Sequence, residues 1–597
     1  MYSNEKSAQI IVDLLKSHGI RKIIASPGNT NFGIVGSLQQ DPFFQVFSSV
    51  DERSAAYMAC GMAAASGEPV AISCTGATAS RDYMPGLTEA YYRKLPVVAI
   101  TSFNGNQNLG QLVPQNLDRT TVPNDVALKS VQVPVIKDGK DANYCNRIVN
   151  DALLECVRHG TGPVHINVCC DYESGKFETA SLPKQRVIKR ILPLDEMPSI
   201  DGYNKIAVFI GAHVPFTEDE QSAIEGFSLS HNAAVLCDHT SNYHGSRSLL
   251  FSLAAENTSR WASDYKDFCP DLIIDFGEVS GDYPGVGFLS ATKADVWRVA
   301  EDGEVRDRFG SLKYVFEMPI KHFFECYSRQ DTVLETGIKP ASDSYYSTWA
   351  AKDARLRGML PELPFTNRWI ASQTAPMLPA DSVLHMAILN SLRSWNYCNI
   401  DDSIRCFCNT GGFGIDGCLS TAIGSSLAFP DRLTFVATGD LAFFYDMNAL
   451  GNRHLTRNMR IILVNNGTGA EFHMPYSPAY VMGQDVDAYV AAAGHFANHF
   501  DEKPDASAAQ HWCEAMGIAY MHATSKTEFS AQVEKFVSGE WGRPVVFECV
   551  VDVNDEEHAA GQMASIDPEN SSKRKMINAA KKIVPRGIQS AVKRALS

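Results

Sequence analysis

The 597-residue sequence lacks several features that would place it in a specialised class of protein. It contains 15 cysteines but no C-x-x-C pair, so neither a zinc site of that type nor a thioredoxin-like redox motif is indicated. No run reaches the roughly 18 apolar residues of a membrane span. Fixed-period repeats and low-complexity runs are also absent. With 45% hydrophobic and 20% charged residues, the chain has the composition of a globular protein rather than a disordered one.

Positive charge is scarce over most of the chain. The 68 acidic residues outnumber the 53 basic ones, and the net charge of −15 argues against general nucleic-acid binding. The exception is the segment from Lys573 onward, which has eight basic residues and no acidic one. Apolar pairs such as Met576-Ile577 and Ile583-Val584 are interleaved with these cations. This pattern predicts contact with an anionic membrane or an acidic protein, although a solvated chain end has the same composition.

The N-terminal residues do not have the character of a targeting segment. Glu5, Lys6, Asp13 and Lys16 interrupt the first 16 residues, which is unlike a signal peptide. The cysteines have no disulfide-framework spacing and are expected to be free thiols in a reducing compartment. We therefore expect a cytoplasmic protein. Attachment of the basic tail to the inner face of a membrane is the alternative.

Apolar helices alternate with short β-branched runs along the chain, which predicts an α/β protein made of consecutive parallel sheets. Periodicity lapses in two places, and these are interpreted as linkers. The predicted organisation is a first parallel-sheet domain (1–172), a linker (173–200), a smaller middle domain (201–331), a second linker (332–363), a third domain (364–556) and a basic amphipathic tail (557–597).

The strongest chemical signal lies at the ends of two successive strands of the third domain. Gly439-Asp440-Leu441 follows one strand and Asn466 follows the next, with 25 residues between Asp440 and Asn466. Ligands bind beyond the carboxyl ends of parallel strands, and Gly439 would allow close approach of a phosphate. Asp440, Asn466 and the carbonyl of Thr468 are oxygen ligands of the kind magnesium prefers. Each half of the motif taken alone has a simpler interpretation. Asp440 would only cap a helix, and the Asn-Asn-Gly sequence around Asn466 would only form a turn.

With both halves present, the chain resembles the thiamine-diphosphate-dependent enzymes. That resemblance implies three domains, of which the first binds the pyrimidine and the third the diphosphate, with thiamine diphosphate and Mg²⁺ as cofactors. It also implies a glutamate after a strand of the first domain, whose carboxyl group binds the aminopyrimidine and promotes deprotonation of the thiazolium carbon. Glu52 is in this position. An acidic helix start, with Asp51 as its cap, is the alternative for Glu52 taken alone.

Other residues match the same family. Gln115 is similar to the glutamine that its carboligases place near the active centre. Ser391 resembles a diphosphate contact, the carbonyl of Phe413 an acceptor for the 4′-amino group, and Ile415 the wedge that bends the cofactor. Together with the strand-end motif, the resemblance implies cofactor contacts at Glu52, Ser391, Phe413, Ile415, Gly439, Asp440, Leu441 and Asn466.

Within this superfamily, roughly residues 5–555 resemble the menaquinone-pathway synthases of 2-succinyl-5-enolpyruvyl-6-hydroxy-3-cyclohexene-1-carboxylate. Those synthases carry arginines that recognise substrate carboxylates, whereas this chain has Asn29-Thr30, Phe103 and Thr410 at the matching places. Bidentate recognition of a carboxylate is lost when arginine becomes threonine. We therefore expect the cofactor machinery of the family with a different substrate.

Candidates for holding that substrate are fewer and less specific. Asn29, Thr30, Arg393 and Thr410 lie at or near the altered positions. His473 follows the predicted metal loop and is a candidate for proton transfer, although a lone histidine is more often structural. Glu471, beside it, has the character of either a site residue or a surface residue.

The resulting hypothesis is a decarboxylase and carboligase that acts on a small 2-oxo acid and an aldehyde or ketone acceptor. Simple decarboxylation to an aldehyde, the menaquinone-pathway synthase reaction itself, and a non-catalytic cofactor-binding scaffold remain as alternatives. The resemblance also implies a homodimer or a dimer of dimers, because these enzymes form their site between two chains. No nucleic-acid partner is expected.

Overall fold

The computed structural model describes residues 1–170, 176–328, 345–500 and 507–567. The basic segment after Lys573 lies outside these residues. Within the described ranges, no helix combines the length and the apolar character needed to cross a membrane. The chain divides into two compact units, the first formed by Met1–Glu196 with Asp302–Glu317 and the second by Met197–Glu301 with Met318–Ser597.

The strands carry the labels used below. In chain order they are β1 (Lys22–Ala25), β2 (Gln45–Ser48), β3 (Val70–Thr75), β4 (Val97–Asn104), β5 (Lys129–Val133), β6 (Val164–Cys170), β7 (Lys189–Ile191), β8 (Ile206–Ile210), β9 (Ala234–Cys237), β10 (Ser248–Leu250), β11 (Leu272–Phe276), β12 (Asp295–Val299), β13 (Leu312–Phe316), β14 (Val383–Met386), β15 (Arg405–Phe407), β16 (Thr434–Gly439), β17 (Met459–Asn465), β18 (Ala519–Ala523) and β19 (Val545–Val550).

The helices are labelled in the same way. They are α1 (Lys6–Ser17), α2 (Phe32–Gln40), α3 (Glu52–Ser66), α4 (Ala77–Asp82), α5 (Met84–Tyr92), α6 (Gly139–Cys156), α7 (Glu218–Ser230), α8 (Ser252–Glu256), α9 (Tyr265–Phe268), α10 (Tyr283–Ser290), α11 (Ile320–Tyr327), α12 (Tyr345–Arg357), α13 (Asn367–Thr374), α14 (Asn390–Trp395), α15 (Cys418–Ala428), α16 (Asp440–Asp446), α17 (Ala508–Met516), α18 (Lys526–Ser530), α19 (Val533–Ser538) and α20 (Val553–Met563).

The predicted fold class is confirmed, because the strands form three sheets that are parallel throughout. The sheet of the first unit has the order β2-β1-β3-β4-β6-β5, and the last sheet of the second unit has the equivalent order β15-β14-β16-β17-β19-β18. The middle strands of the second unit run β10-β9-β8-β11-β12. The first and third predicted domains therefore share one topology, which places the carboxyl ends of corresponding strands at corresponding edges.

In the first unit, apolar layers cover both faces of the sheet. Ile11 and Leu15 of α1 belong to the buried cluster on one face, and Ala56 of α3 belongs to the cluster on the other. A Cβ at Gly86 of α5 would lie 2.4 Å from the Cβ of Ala56, so this glycine is what permits α3 and α5 to pack closely. The close packing fixes the start of α3, where Glu52 lies.

Both predicted linkers need correction. The predicted linker 173–200 contains β7, which pairs in parallel with β13. The predicted linker 332–363 contains α12 in its described part. Between the two halves of the strand-end motif, α16 begins at Asp440 and continues after Asp446 as a 3-10 helix, Met447–Gly451. Helix α16 starts directly at the end of β16, with Gly439 as its N-cap residue, and the carboxylate of Asp440 accepts a hydrogen bond from the N–H of Leu441.

Candidate cofactor and substrate sites

The two halves of the strand-end motif lie side by side. Gly439 at the end of β16 is in register with Val464 of β17, so Asp440 and Asn466 follow neighbouring strands. The Oδ2 of Asp440 accepts a hydrogen bond from the N–H of Gly467 at 2.6 Å, and its Oδ1 accepts one from the N–H of Leu441 at 2.7 Å. Burial raises the pKa of Asp440 to about 6. A bound cation would favour the ionised form of this buried carboxyl group.

A pocket of about 570 Å³ opens at this edge of the sheet, and Asp440, Leu441, Asn465 and Gly467 are among its lining residues. The nearest atom to a Cβ placed on Gly439 would be the carbonyl oxygen of Val464, at 4.0 Å, so the glycine leaves open space beside the strand end. Asn465 lines the pocket and donates from its amide to Glu548 at 2.7 Å. The open space beside Gly439 would let a phosphate approach the strand end, and a cation between the phosphate and the Asp440 carboxylate would be needed to offset their like charges.

The predicted metal ligands include one carboxylate, one amide and one carbonyl. The Oδ1 of Asn466 accepts a hydrogen bond from the N–H of Thr468 at 3.3 Å, which draws the loop into a tight turn. Among the described residues, no group of three or more His, Cys, Asp or Glu side chains is arranged to hold a metal. The predicted set contains only one such side chain, Asp440, and its other two ligands are an amide oxygen and a backbone carbonyl oxygen. Mg²⁺ prefers oxygen ligands of these kinds. Metal binding by this set stays a prediction.

The loop before α15 holds the predicted wedge. Phe413 has a φ of 56°, a left-handed conformation that a non-glycine residue rarely adopts. Ile415 packs against a small buried cluster formed by Ala387, Cys418 and Ala442. Ser391, the predicted diphosphate contact, is buried in α14. Ile415, the predicted wedge, is therefore held in place by packed side chains, which a residue that enforces a cofactor shape requires.

His473 is tied to the predicted metal loop through an aspartate. Its Nε2 lies 2.9 Å from the Oδ1 of Asp487, and the same oxygen accepts a hydrogen bond from the hydroxyl of Thr468 at 3.1 Å. The contact with Asp487 orients the imidazole, and a proton-transfer role for His473 stays a prediction.

In the first unit, Glu52 is the first residue of α3. Asp51 caps this helix, accepting from the N–H of Ser54 at 3.2 Å, so the simpler interpretation of an acidic helix start is structurally present. Glu52 itself is half-buried. Burial raises the pKa of Tyr83 well above its ordinary value, with further contributions from the neighbouring Cys74 thiol and, last, from the charge of Glu52.

The other first-unit candidates surround Gly76. The hydroxyl of Thr30 donates to the carbonyl of Ser102 at 2.6 Å, and Thr30 is buried. A Cβ on Gly76 would lie 3.0 Å from that carbonyl and 3.4 Å from the carbonyl of Gln115. The structure thus brings Thr30 and the backbone of Gln115 together, while the side chains of Gln115 and Asn29 are exposed.

The altered positions carry no cation. Thr30, Phe103 and Thr410 are all buried, at 6%, 5% and 5% exposure. Threonine and phenylalanine are neutral, so none of these positions offers a cation to a substrate carboxylate, and the Thr30 hydroxyl is already bonded to the carbonyl of Ser102.

A second pocket in the second unit, about 480 Å³ in volume, surrounds Arg393 and is called the arginine–tyrosine pocket below. The Nη1 of Arg393 donates to the carboxylate of Glu471 and to the hydroxyl of Tyr476, the latter at 2.7 Å. Its guanidinium lies 4.4 Å from the ring centroid of Tyr283. Glu471 is therefore a partner of Arg393 rather than a surface residue. The lining residues are Glu256, Tyr283, Pro284, Arg368, Arg393, Tyr397, Glu471, Tyr476, Ser477 and Pro478.

Sequence reasoning named Arg393 in this pocket and missed Arg368, Tyr283, Tyr397 and Tyr476. One signal for Arg368 was present. Thr366 is a helix N-cap residue, and an arginine two positions later lies where the helix dipole disfavours a cation. The tyrosines had no such signal, because they come from segments distant in sequence.

Two regions of the chain match models of known families. Residues 5–122 match the family described as "Thiamine pyrophosphate enzyme, N-terminal TPP binding domain". Residues 391–549 match the one described as "Thiamine pyrophosphate enzyme, C-terminal TPP binding domain". The matched regions include Glu52 in the first case, and the strand-end motif and the wedge loop in the second.

Similar proteins are named 2-succinyl-5-enolpyruvyl-6-hydroxy-3-cyclohexene-1-carboxylate synthase. The relative from Bacteroides thetaiotaomicron is 31% identical over 575 residues, which cover 92% of this chain and 96% of the relative. The one from Bacteroides fragilis is 31% identical, with 93% and 97% covered. The relative from Flavobacterium johnsoniae is 27% identical, with 79% and 85% covered.

Proposed function

Because the chain belongs to the thiamine pyrophosphate-dependent enzymes, we propose that it decarboxylates a 2-oxo acid and joins the remaining acyl unit to a carbonyl acceptor. In this reaction the bond between C1 and C2 of the acid breaks and carbon dioxide leaves. The electron pair that stays on C2 then forms a bond to the acceptor carbon, and the acceptor oxygen takes up a proton. If a proton takes the place of the acceptor, the product is an aldehyde.

The chain's own residues would hold the cofactor at both ends. When bound, thiamine pyrophosphate supplies the carbon nucleophile and the electron sink that decarboxylation of a 2-oxo acid requires. Asp440, Asn466 and Thr468 would hold the diphosphate through Mg²⁺, and Glu52 would bind the aminopyrimidine. Ile415 would support the bent form of the cofactor from its packed cluster.

The observation that favours a substrate different from that of the synthases is the neutral, enclosed state of the altered positions. Thr30 is buried with its hydroxyl bonded to Ser102, and Thr410 is buried as well. An arginine at either place would need space and a solvated path that these buried threonines do not have. The carboxylate-binding pattern implied by the resemblance is thus missing at these positions.

The proposal is tested by incubating the full chain with thiamine pyrophosphate, Mg²⁺ and a panel of 2-oxo acids, with and without aldehyde acceptors. We expect carbon dioxide release together with a product whose mass is that of donor plus acceptor minus carbon dioxide. An aldehyde as the sole product would indicate simple decarboxylation. A matched incubation with 2-oxoglutarate and isochorismate tests the synthase reaction, and efficient turnover of that pair would contradict the proposal of a different substrate.

We also propose that the basic segment after Lys573 binds an anionic membrane surface. A juxtamembrane lysine contributes about 1 kcal/mol to such binding. We expect the full chain to sediment with vesicles rich in phosphatidylglycerol, and a variant with Lys573, Lys575, Lys581 and Lys582 changed to Gln to stay in solution. Vesicles of pure phosphatidylcholine are the control. Equal sedimentation of the two proteins, or none of either, would contradict this proposal.

A further inference from the structure

A buried arginine ties the loop of Gln115 to the helix that follows β3. Arg119 comes four residues after Gln115 and is 3% exposed. Its Nε donates to the hydroxyl of Ser80 and its Nη2 to the carbonyl of Ala77, both in α4. Its Nη1 donates to the carbonyl of Asp118 at 2.9 Å. The guanidinium therefore binds α4 and the end of the Gln115 loop at the same time.

Side chains of the sheet hold the backbone of Arg119. Its carbonyl accepts from the Nε2 of Gln132 at 3.2 Å. The Oε1 of Gln132 accepts from the amide of Asn167 at 2.7 Å, and the Oδ1 of Asn167 accepts from the hydroxyl of Thr101 at 2.8 Å. These three residues belong to the neighbouring strands β5, β6 and β4. Both the side chain and the backbone of Arg119 are thus bonded to regular elements.

The hydrogen-bond chain continues to a buried histidine, which fixes its direction. The Thr101 hydroxyl gives its one proton to Asn167, so the Nε2–H of His165, 2.7 Å away, donates to the Thr101 oxygen. The Nδ1 of His165 then accepts from the hydroxyl of Ser130 at 2.9 Å. Burial, followed by the charge of Arg119, lowers the pKa of His165 to about 4, which keeps the imidazole neutral. Each group in the chain therefore donates towards the Arg119 carbonyl.

The two segments that Arg119 joins contain unfavourable backbone conformations. Ala77, Leu112 and Gln115 have φ values of 61°, 60° and 65°, in the left-handed region that residues other than glycine rarely adopt. Such conformations persist only where the surrounding structure holds them. Arg119 supplies one of the holding contacts directly, because its Nη2 donates to the carbonyl of Ala77.

The same contacts connect the two candidate catalytic residues of the first unit. Helix α4 packs against α3, which begins at Glu52. The loop that carries Gln115 is attached to α4 through Arg119. A shift of this loop relative to α4 would therefore change the distance between Gln115 and Glu52.

We propose that Arg119 is a positioning residue for the joining step: by holding the Gln115 loop on α4, it makes the acyl unit combine with the acceptor rather than with a proton. This inference rests on the proposed function. Carbon dioxide release needs only the donor, whereas joining needs two molecules held in the correct geometry, and is therefore more sensitive to the loop. If the loop moves, water enters the site, and the electron pair left on C2 takes up a proton to give the aldehyde.

The test measures carbon dioxide release and the ratio of joined product to aldehyde in Arg119→Met and in the wild type. Methionine keeps an unbranched apolar side chain but has no N–H donor. We expect the ratio to fall by at least about tenfold, because a misplaced group costs the joining step its geometry, while carbon dioxide release falls by less than about threefold. An unchanged ratio, or an equal loss of both rates, would overturn the inference, the latter by showing a merely structural role.

Matched variants make this test specific to the buried guanidinium. Arg119→Lys keeps the charge without the planar fork and should recover only part of the ratio. Arg81→Met removes an exposed arginine that donates to the same Asp118 carbonyl, at 3.3 Å, and should leave the ratio unchanged. A fall in Arg81→Met equal to that in Arg119→Met would overturn the inference. If Arg119→Met does not fold, Arg119→Lys and Gln132→Met decide the question, and an unchanged ratio in both would overturn it.

Hydrogen exchange separates failure of the inference from failure of the proposed function. Without substrate, we expect the amides of residues 105–118 to exchange at least about tenfold faster in Arg119→Met than in the wild type, and those of α6 to be unchanged. A wild type that forms only aldehyde would overturn the inference and leave decarboxylation standing. If no donor releases carbon dioxide, the proposed function fails. Faster exchange would then still support the attachment of the loop by Arg119, and equal exchange would overturn it.

Discussion

Replacing Glu52 with Gln is expected to lower the rate of carbon dioxide release by about 100- to 10,000-fold, the usual contribution of a positioned acid–base group. The amide keeps the size of the side chain and one hydrogen bond but cannot exchange a proton with the aminopyrimidine. Glu52 is half-buried at the start of α3, and the close contact of that helix with α5 keeps it in place. The affinity for thiamine pyrophosphate, measured by calorimetry, should change little.

Asp51→Asn is the matched control for this prediction. Asp51 caps α3 through the N–H of Ser54, and asparagine caps helices about as well as aspartate. The control removes one negative charge from the same helix start and should leave the rate close to wild type. If both variants lose the same amount of carbon dioxide release, the rate depends on negative charge at the helix start and Glu52 has no special role. If the wild type binds the cofactor but decarboxylates nothing, the scaffold alternative becomes the better account.

Replacing Asp440 with Ala is expected to weaken binding of thiamine pyrophosphate in the presence of Mg²⁺ by at least about 100-fold, since even outer-shell changes at metal sites cost 10- to 100-fold. Asp440 is buried between two neighbouring strand ends and accepts from the N–H groups of Leu441 and Gly467. Its loss removes the carboxylate of the predicted metal set. Removal of Mg²⁺ by a chelator should have a similar effect on the wild type.

Asp431→Ala is a suitable control, because Asp431 is an exposed aspartate of the same unit and precedes β16. Unchanged cofactor affinity in Asp440→Ala would contradict the metal assignment. Co-expression of the Glu52→Gln and Asp440→Ala chains tests the dimer that the family resemblance predicts. If Glu52 of one chain serves the same site as Asp440 of its partner, mixed dimers regain activity that neither variant has alone, and a lack of regain contradicts the shared site.

Most of the predicted cofactor contacts could be named from the sequence, because they lie in short contiguous motifs. Gly439-Asp440 and Asn466 each follow a buried strand, and the ends of neighbouring parallel strands must meet at one edge of a sheet. Buried strands such as β8, β11 and β19 have the bounds that their apolar runs predict. The fold class follows from the same alternation of helices and apolar strands.

The parts that could not be predicted lack such local signals. The strands β5, β10, β15 and β18 lie at sheet edges, where partial burial blurs the apolar pattern. The arginine–tyrosine pocket joins Tyr283, Arg368, Tyr397 and Tyr476 from four separate segments. Their proximity results from the packing of the second unit, and a single sequence contains no periodicity that reports it.

The most direct measurement of the central claim is release of carbon dioxide from the panel of 2-oxo acids by the full chain, with and without added thiamine pyrophosphate and Mg²⁺. We expect release from at least one acid that depends on both cofactors and is lost in Glu52→Gln. Absence of release from every acid, in protein shown by calorimetry to have bound the cofactor, would contradict the claim that this chain is a 2-oxo acid decarboxylase.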